Sequence, residues 1–172
     1  MILYESTAQL LHFSHSFKNS EQNASLQAIV SNRKKKLIRD LKLLYPIQSL
    51  PDGMYTIRGI PLPIDMHSLV ASEEVISAGL GFVSHLVTMC SKYLEVPLRY
   101  RLICNSSRSA VRDDNFDVYP LFKERVIEKE QFDRGMVLLH RNIDHLLDVQ
   151  NIPQQIRSNH PHILSKLLLI FD

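Results

Sequence analysis

Residues 72–104 read SEEVISAGLGFVSHLVTMCSKYLEVPLRYRLIC. Ser72 is a helix-capping residue type, and Glu73 and Glu74 follow where the first turn of a helix favours negative charge. Ile76, Leu80, Val83, Val87, Cys90 and Leu94 then recur every three or four residues, so one face of this helix is apolar. Pro97 closes it, because the residue before a proline disfavours helical backbone. Immediately beyond, the period changes. Leu98, Tyr100 and Leu102 alternate with Arg99 and Arg101, the pattern of a strand buried on one side, as far as about Cys104. A helical period followed at once by a strand period predicts a mixed domain, α+β in class.

Upstream, Pro51-Asp52-Gly53 is a turn signal. Met54 to Ile60 alternates Tyr55 and Ile57 with Thr56 and Arg58, which predicts one short strand ending in a loop stiffened by Pro61 and Pro63. Before it, Ser20 and Glu21 are placed to open a helix. Leu26, Val30, Arg33, Leu37, Leu41 and Leu44 continue its apolar stripe to Pro46. Leu3, Leu10 and Phe17 fall seven apart, as along a helical seam. Joined, the two segments give a leading helix of about forty residues, which needs a partner or a domain to lie against.

Downstream, Asn105 to Asp117 reads as a polar loop and Val118 to Phe122 as a short strand or turn. A helix starting near Glu130 carries Phe132, Met136, Leu139, Ile143 and Leu146 on one face and stops before Pro153. The last helix starts near Pro161 and runs through Leu164, Leu167, Leu168 and Phe171. A strand-then-helix unit recurs weakly, in 54–94 and again in 98–148.

Composition bounds the function. The chain has 172 residues, a length that fits one domain. Hydrophobic residues at 45% and charged residues at 22% exclude a disordered chain. Two Cys cannot staple a scaffold, which favours a reducing, cytoplasmic compartment. The net charge of +2 gives no reason to expect nucleic-acid binding. The longest apolar run, Leu167 to Phe171, falls far short of the ~20 residues that span a bilayer. The opening MILYESTAQLL has an early Glu5 and no basic start, so no secretory leader is expected.

Few residues suggest chemistry. Gly79 and Gly81 lie inside a helical stripe rather than between a strand and a helix, so they are expected to admit a close neighbour rather than a phosphate. Cys90 belongs to the apolar stripe, and Cys104 has no CxxC partner. The short-spaced pairs His12/His15 and His160/His162, and His140 one turn from Asp144, lack third and fourth ligands for a metal. Neither HExxH nor GxSxG occurs. Arg33, Lys34, Lys35, Lys36, Arg39 and Lys42 concentrate positive charge on the leading helix. Such a run is solvated, pairs with acids of a partner helix, or meets an anionic membrane. The loop Cys104 to Asp113 is rich in Ser, Asn, Arg and Asp, able to bind an anion and more simply able to satisfy its own backbone.

Gly79 to Asp113, GLGFVSHLVTMCSKYLEVPLRYRLICNSSRSAVRD, resembles the UV-radiation-resistance-associated protein family: a glycine-containing helix, then V-P-L-R-Y, then S-R-S-A-x-x-D. The resemblance continues in Arg33 to Ile38 with Tyr45-Pro46-Ile47, and in Tyr55 to Pro63. It extends through Tyr119-Pro120-Leu121, Gln131-Phe132 with Gly135, and Asn142-Ile143, over about residues 33 to 171. It reaches neither the family's N-terminal C2 domain nor most of its coiled coil, and residues 1 to about 20 match poorly. A fragment or a shortened member is therefore expected.

The resemblance implies a domain like the β–α repeated, autophagy-specific (BARA) domain of Beclin, with repeated short strands and helices, over 46–172. Residues 1–45 would be a leading helix that ends a coiled coil. It implies a non-catalytic regulatory or scaffold subunit with no cofactor and no metal. The implied partners are a Beclin-type subunit, a class III phosphatidylinositol 3-kinase and its regulatory kinase-like subunit. The implied setting is cytoplasmic, peripheral on endosomes, lysosomes and autophagic membranes, in endosomal trafficking and autophagy. Leu26, Val30, Leu37, Leu41 and Leu44 are the expected partner face. Arg33, Lys34, Lys35, Lys36, Arg39 and Lys42 are the expected contacts to an acidic partner. In the alternative reading, the same basic helix docks a peripheral membrane module on anionic lipid.

Overall fold

A computed structural model describes the backbone of residues 2–51, 53–68 and 70–171, and their side chains from residue 22 onward. The chain divides into two compact units, Met1–Leu37 and Ile38–Asp172. Helix α1, Ile2–Leu44, begins in the first and ends in the second. The seam Leu3, Leu10 and Phe17 and the pair His12/His15 lie outside the described side chains. The second unit starts within the helix rather than at residue 46, because Ile38, Leu41 and Tyr45 are already buried in its core.

After α1 come two small antiparallel sheets, each followed by a long helix. Strands β1 (Ile47–Ser49), β2 (Tyr55–Ile57) and β3 (Ile60–Leu62) form the first sheet in that order. Helix α2, Glu73–Leu94, follows. Strands β4 (Arg101–Ile103), β5 (Ala110–Arg112) and β6 (Val118–Pro120) form the second, and helix α3, Lys129–Val149, follows. The chain is therefore a βββα unit used twice, a fuller version of the strand-then-helix recurrence in the sequence. Two short helices, α4 (Gln154–Ser158) and α5 (Ile163–Leu168), finish it.

The repeats share a packing device. Gly79 and Gly135 are each the seventh residue of their helix. A Cβ on Gly79 would lie 2.7 Å from the Leu62 side chain at the end of β3. One on Gly135 would lie 2.5 Å from the Pro120 carbonyl oxygen at the end of β6. Each glycine lets the last strand of its sheet close onto the helix.

Helix α2 forms as its sequence dictates. Ser72 Oγ accepts from the Val75 N–H at 3.4 Å, and Glu95 ends the helix in left-handed conformation. By length and mean hydropathy α2 is able to cross a membrane, contrary to the expectation that no segment approaches that limit. It instead forms the middle of the core. Leu80, Val83, Leu86, Val87 and Cys90 are inaccessible, and α2 packs against β2, β3, β4 and α3. Phe132, Met136, Leu139, Ile143 and Leu146 of α3 are buried, as their spacing predicts. Each Leu or Ile so buried contributes about 1.5–3 kcal/mol before chain entropy is charged against it.

Four expectations need correction. Met54 to Ile60 is not one strand. Arg58 and Gly59 take φ of 51° and 79°, and the chain folds back as a two-residue hairpin between β2 and β3. The strand after Pro97 begins only at Arg101. Tyr100 beside it is held through its backbone by Asn142 instead. The polar loop 105–117 contains a 3-10 turn, Ser106–Arg108, and the whole of β5. The helix expected from Pro161 to Phe171 is shorter, and α4 precedes it.

Candidate interaction surface

On the first unit, Leu26 is 58% exposed, Ile29 63% and Val30 48%. Spaced by three and one along a helix, they form one apolar patch facing solvent. Ile29 escaped the sequence reading because it flanks the stripe rather than lying on it. Arg33 continues the same face one turn on, exposed, and Leu37 is half-buried. In the second unit the stripe changes role. Leu41, expected on the partner face, is only 2% exposed and belongs to the core with Ile38 and Tyr45. Leu44, at the helix end, is exposed. Of the basic residues, Arg33, Lys35, Lys36, Arg39 and Lys42 are exposed and Lys34 is half-buried. Lys34, Lys35, Arg39 and Lys42 each engage neighbouring groups.

The second unit contains a cleft of about 460 Å³, floored by Ala78, Gly81, Phe82 and His85 of α2 and walled by Tyr45, Cys104, Ser106 and Ser107. The Tyr45 hydroxyl is hydrogen-bonded to His85 Nδ1. Burial raises the Tyr45 pKa above its ordinary value, so the phenol keeps its proton. Arg58 lies over both Tyr45 and Phe82, 5.9 and 5.2 Å from the ring centroids. The cleft has an aromatic and cationic rim.

Several other titratable side chains make structural contacts. Cys90 is buried, and burial pushes its thiol up to about 12. Cys104 is exposed, with its sulfur 3.3 Å from Thr88 Oγ1. Nδ1 of His162 caps α5, accepting from the Leu164 N–H at 3.0 Å, and Nε2 donates to the Leu62 carbonyl at 2.8 Å. His67 Nε2 meets Asp133 at 2.5 Å. Asp144 is taken by Lys166 at 2.9 Å rather than by His140. Among the described residues, no three His, Cys, Asp or Glu side chains gather as a metal site. The loop after Cys104 satisfies itself: Ser109 Oγ donates to the Ser106 carbonyl at 2.8 Å and accepts from the Asn105 N–H at 3.1 Å. Its Arg108 pairs with Glu124.

Fold and surface together define a helix-led α+β chain of two βββα repeats with an exposed apolar helix patch and an aromatic, cationic cleft. No family model matches the sequence. The chain is 36% identical to the UV radiation resistance-associated protein of Mus musculus over 121 residues, covering 66% of this chain and 17% of that protein. It is 28% identical to Vacuolar protein sorting-associated protein 38 of Schizosaccharomyces pombe over 160 residues, covering 88% and 33%. It is 24% identical to the UV radiation resistance-associated gene protein of Drosophila melanogaster over 145 residues, covering 73% and 21%. The chain thus spans a third or less of the curated relatives it matches. It belongs to the UV radiation resistance-associated protein family.

Proposed function

We propose that this chain serves a non-catalytic regulatory subunit of a class III phosphatidylinositol 3-kinase complex, and that its leading helix pairs with a Beclin-type subunit. The exposed patch Leu26–Ile29–Val30 carries the pairing. A solvent-facing apolar seam on a helix is stabilised by a second helix packed along it. In this reading the repeats of 38–172 form a BARA-like body beside the partner's own. The setting is cytoplasmic, on endosomal and vacuolar membranes, in protein sorting and autophagy. The family membership and the sorting role in the fission yeast relative's name support it.

Co-expression with a Beclin-type fragment containing the coiled coil and BARA domain, followed by size exclusion with light scattering, tests the proposal. A 1:1 complex is expected. Leu26→Asp with Val30→Asp is expected to abolish it while leaving the melting of the 38–172 unit unchanged, because both side chains are exposed. Leu41→Asp is a poor probe, since a charge in that buried position unfolds the core. A complex unaffected by Leu26→Asp/Val30→Asp rules out the leading helix as the pairing face.

A further inference from the structure

The repeat supplies a comparison between its own halves. With Gly79 and Gly135 equivalent, the α2 positions Ala78, Gly81 and His85 correspond to Arg134, Val137 and Arg141 of α3. In the first repeat only the middle of this face is covered: Gly81 is buried, Ala78 is half-buried and His85 is exposed in the cleft. The 3-10 turn of the second repeat sits on α2, and a Cβ on Gly81 would come within 2.1 Å of the Ser106 carbonyl oxygen. In the second repeat Arg134, Val137 and Arg141 are all exposed.

The chemistry of this face is specific. Arg134 lies 6.0 Å from the Tyr119 ring centroid, and Arg141 Nη1 donates to the Tyr100 hydroxyl at 3.3 Å. Both tyrosines are held by the fold, Tyr100 fully buried and Tyr119 half-buried. Neither arginine meets a carboxylate among the described residues. Three acids of the same helix are used elsewhere, Asp133 by His67, Asp144 by Lys166 and Asp148 by Arg157, while Glu130 lies exposed one turn before Arg134 without an ion pair to it. The result is two seated guanidinium groups without an ion pair, two helical turns apart, about 10 Å along the axis, with one branched apolar side chain between them. Arginine and tyrosine around a small apolar centre is the composition of protein interface hot spots. The exposed apolar side chain of the helix face is Val137, and Tyr119 is half-buried beneath Arg134 rather than free to insert into lipid, which favours a protein over a membrane.

We propose that this face of α3 docks an acidic helical segment of a partner protein. Two carboxylates seven residues apart pair with Arg134 and Arg141, and an apolar residue between them packs on Val137. Guanidinium and carboxylate match as two-pronged donor and acceptor, so the spacing confers selectivity as well as attraction.

The full chain, titrated with a fluorescein-labelled synthetic helical peptide, tests this. The peptide carries two Glu seven residues apart with Leu midway. A twin carries Lys in place of Glu, and a third peptide sets the two Glu five apart. Saturable binding of the first peptide is expected, weakened about tenfold or more in Arg134→Glu/Arg141→Glu and in Val137→Asp. The Lys twin is expected to bind the charge-reversed variant and not the native chain. Circular dichroism melts confirm that these surface variants fold. Equal binding of the Glu peptide to native and charge-reversed chains would overturn the proposal. So would equal binding of the five-spaced peptide. Absence of peptide binding, with salt-sensitive binding to phosphatidylserine vesicles lost in the variant, would assign the face to lipid instead.

Discussion

Asn142 of α3 stands in for a neighbouring strand beside Tyr100. Its Oδ1 accepts the Tyr100 N–H at 3.0 Å, and its Nδ2 donates to the Tyr100 carbonyl at 2.8 Å. The amide is fully buried and ties the second sheet to its helix across 42 residues of sequence. Asn142→Ala leaves a buried N–H and a buried carbonyl without partners, and is expected to cost about 3 kcal/mol in urea unfolding. Asn142→Asp keeps the acceptor but sets a second oxygen against the Tyr100 carbonyl, so it is expected to destabilise as well. A variant as stable as the native chain shows that Tyr100 finds other partners.

Gly81 offers a test of sign. On an exposed helix, glycine to alanine stabilises by about 1 kcal/mol. Here the new Cβ would meet the Ser106 backbone oxygen, and the 3-10 turn must move away from α2. Gly81→Ala is expected to lower the melting temperature, by a free energy of about 1–3 kcal/mol. Gly79→Ala meets only the Leu62 side chain and is expected to cost less. The order of the two melting temperatures decides whether the turn is seated as described.

His162 makes stability depend on pH. Both ring nitrogens are used, Nδ1 as an acceptor and Nε2 as a donor, so the neutral ring fits and a second proton disrupts the α5 cap. Burial lowers its pKa from the ordinary 6.5, against a smaller opposing effect of the Leu62 hydrogen bond. His140 shifts the same way, by burial first and then by the Lys166 charge. The unfolded chain then binds protons more readily than the folded one. The stabilisation is complete above pH 6.5 and is lost as pH falls from there through the depressed folded pKa. The urea midpoint is expected to drop with acidification below that point. It should drop less in His162→Asn, where the amide still caps α5 and does not titrate.

The two thiols are expected to react in sequence. Cys104 is exposed, whereas Cys90 is buried with its thiol pushed up to about 12. Since the thiolate is the nucleophile, alkylation near pH 8 should modify Cys104 alone, as read by mass spectrometry of peptides. Cys90 is expected to react only in denaturant. Labelling of Cys90 in the native chain would mean that α2 opens locally.

Local sequence was enough for the long elements. The stripes of α2 and α3, the Ser72 cap and the stop before Pro97 are properties of neighbouring residues, and a helix is made by neighbours. Gly79 and Gly81 were legible as contact points because a small residue has few other uses in mid-helix. Three-residue strands are too short to show a period, so β1 and β5 stayed hidden until their partners were paired with them. Arg58 gave no hint of a left-handed turn, because asparagine or glycine is the usual signal at that place. The same limit governs the surfaces. Leu26 and Leu41 lie on one stripe with equal claims to either role, yet one faces solvent and the other the core. Helical spacing fixes which side chains share a face. What covers that face depends on residues distant in sequence, and only the folded chain brings them there.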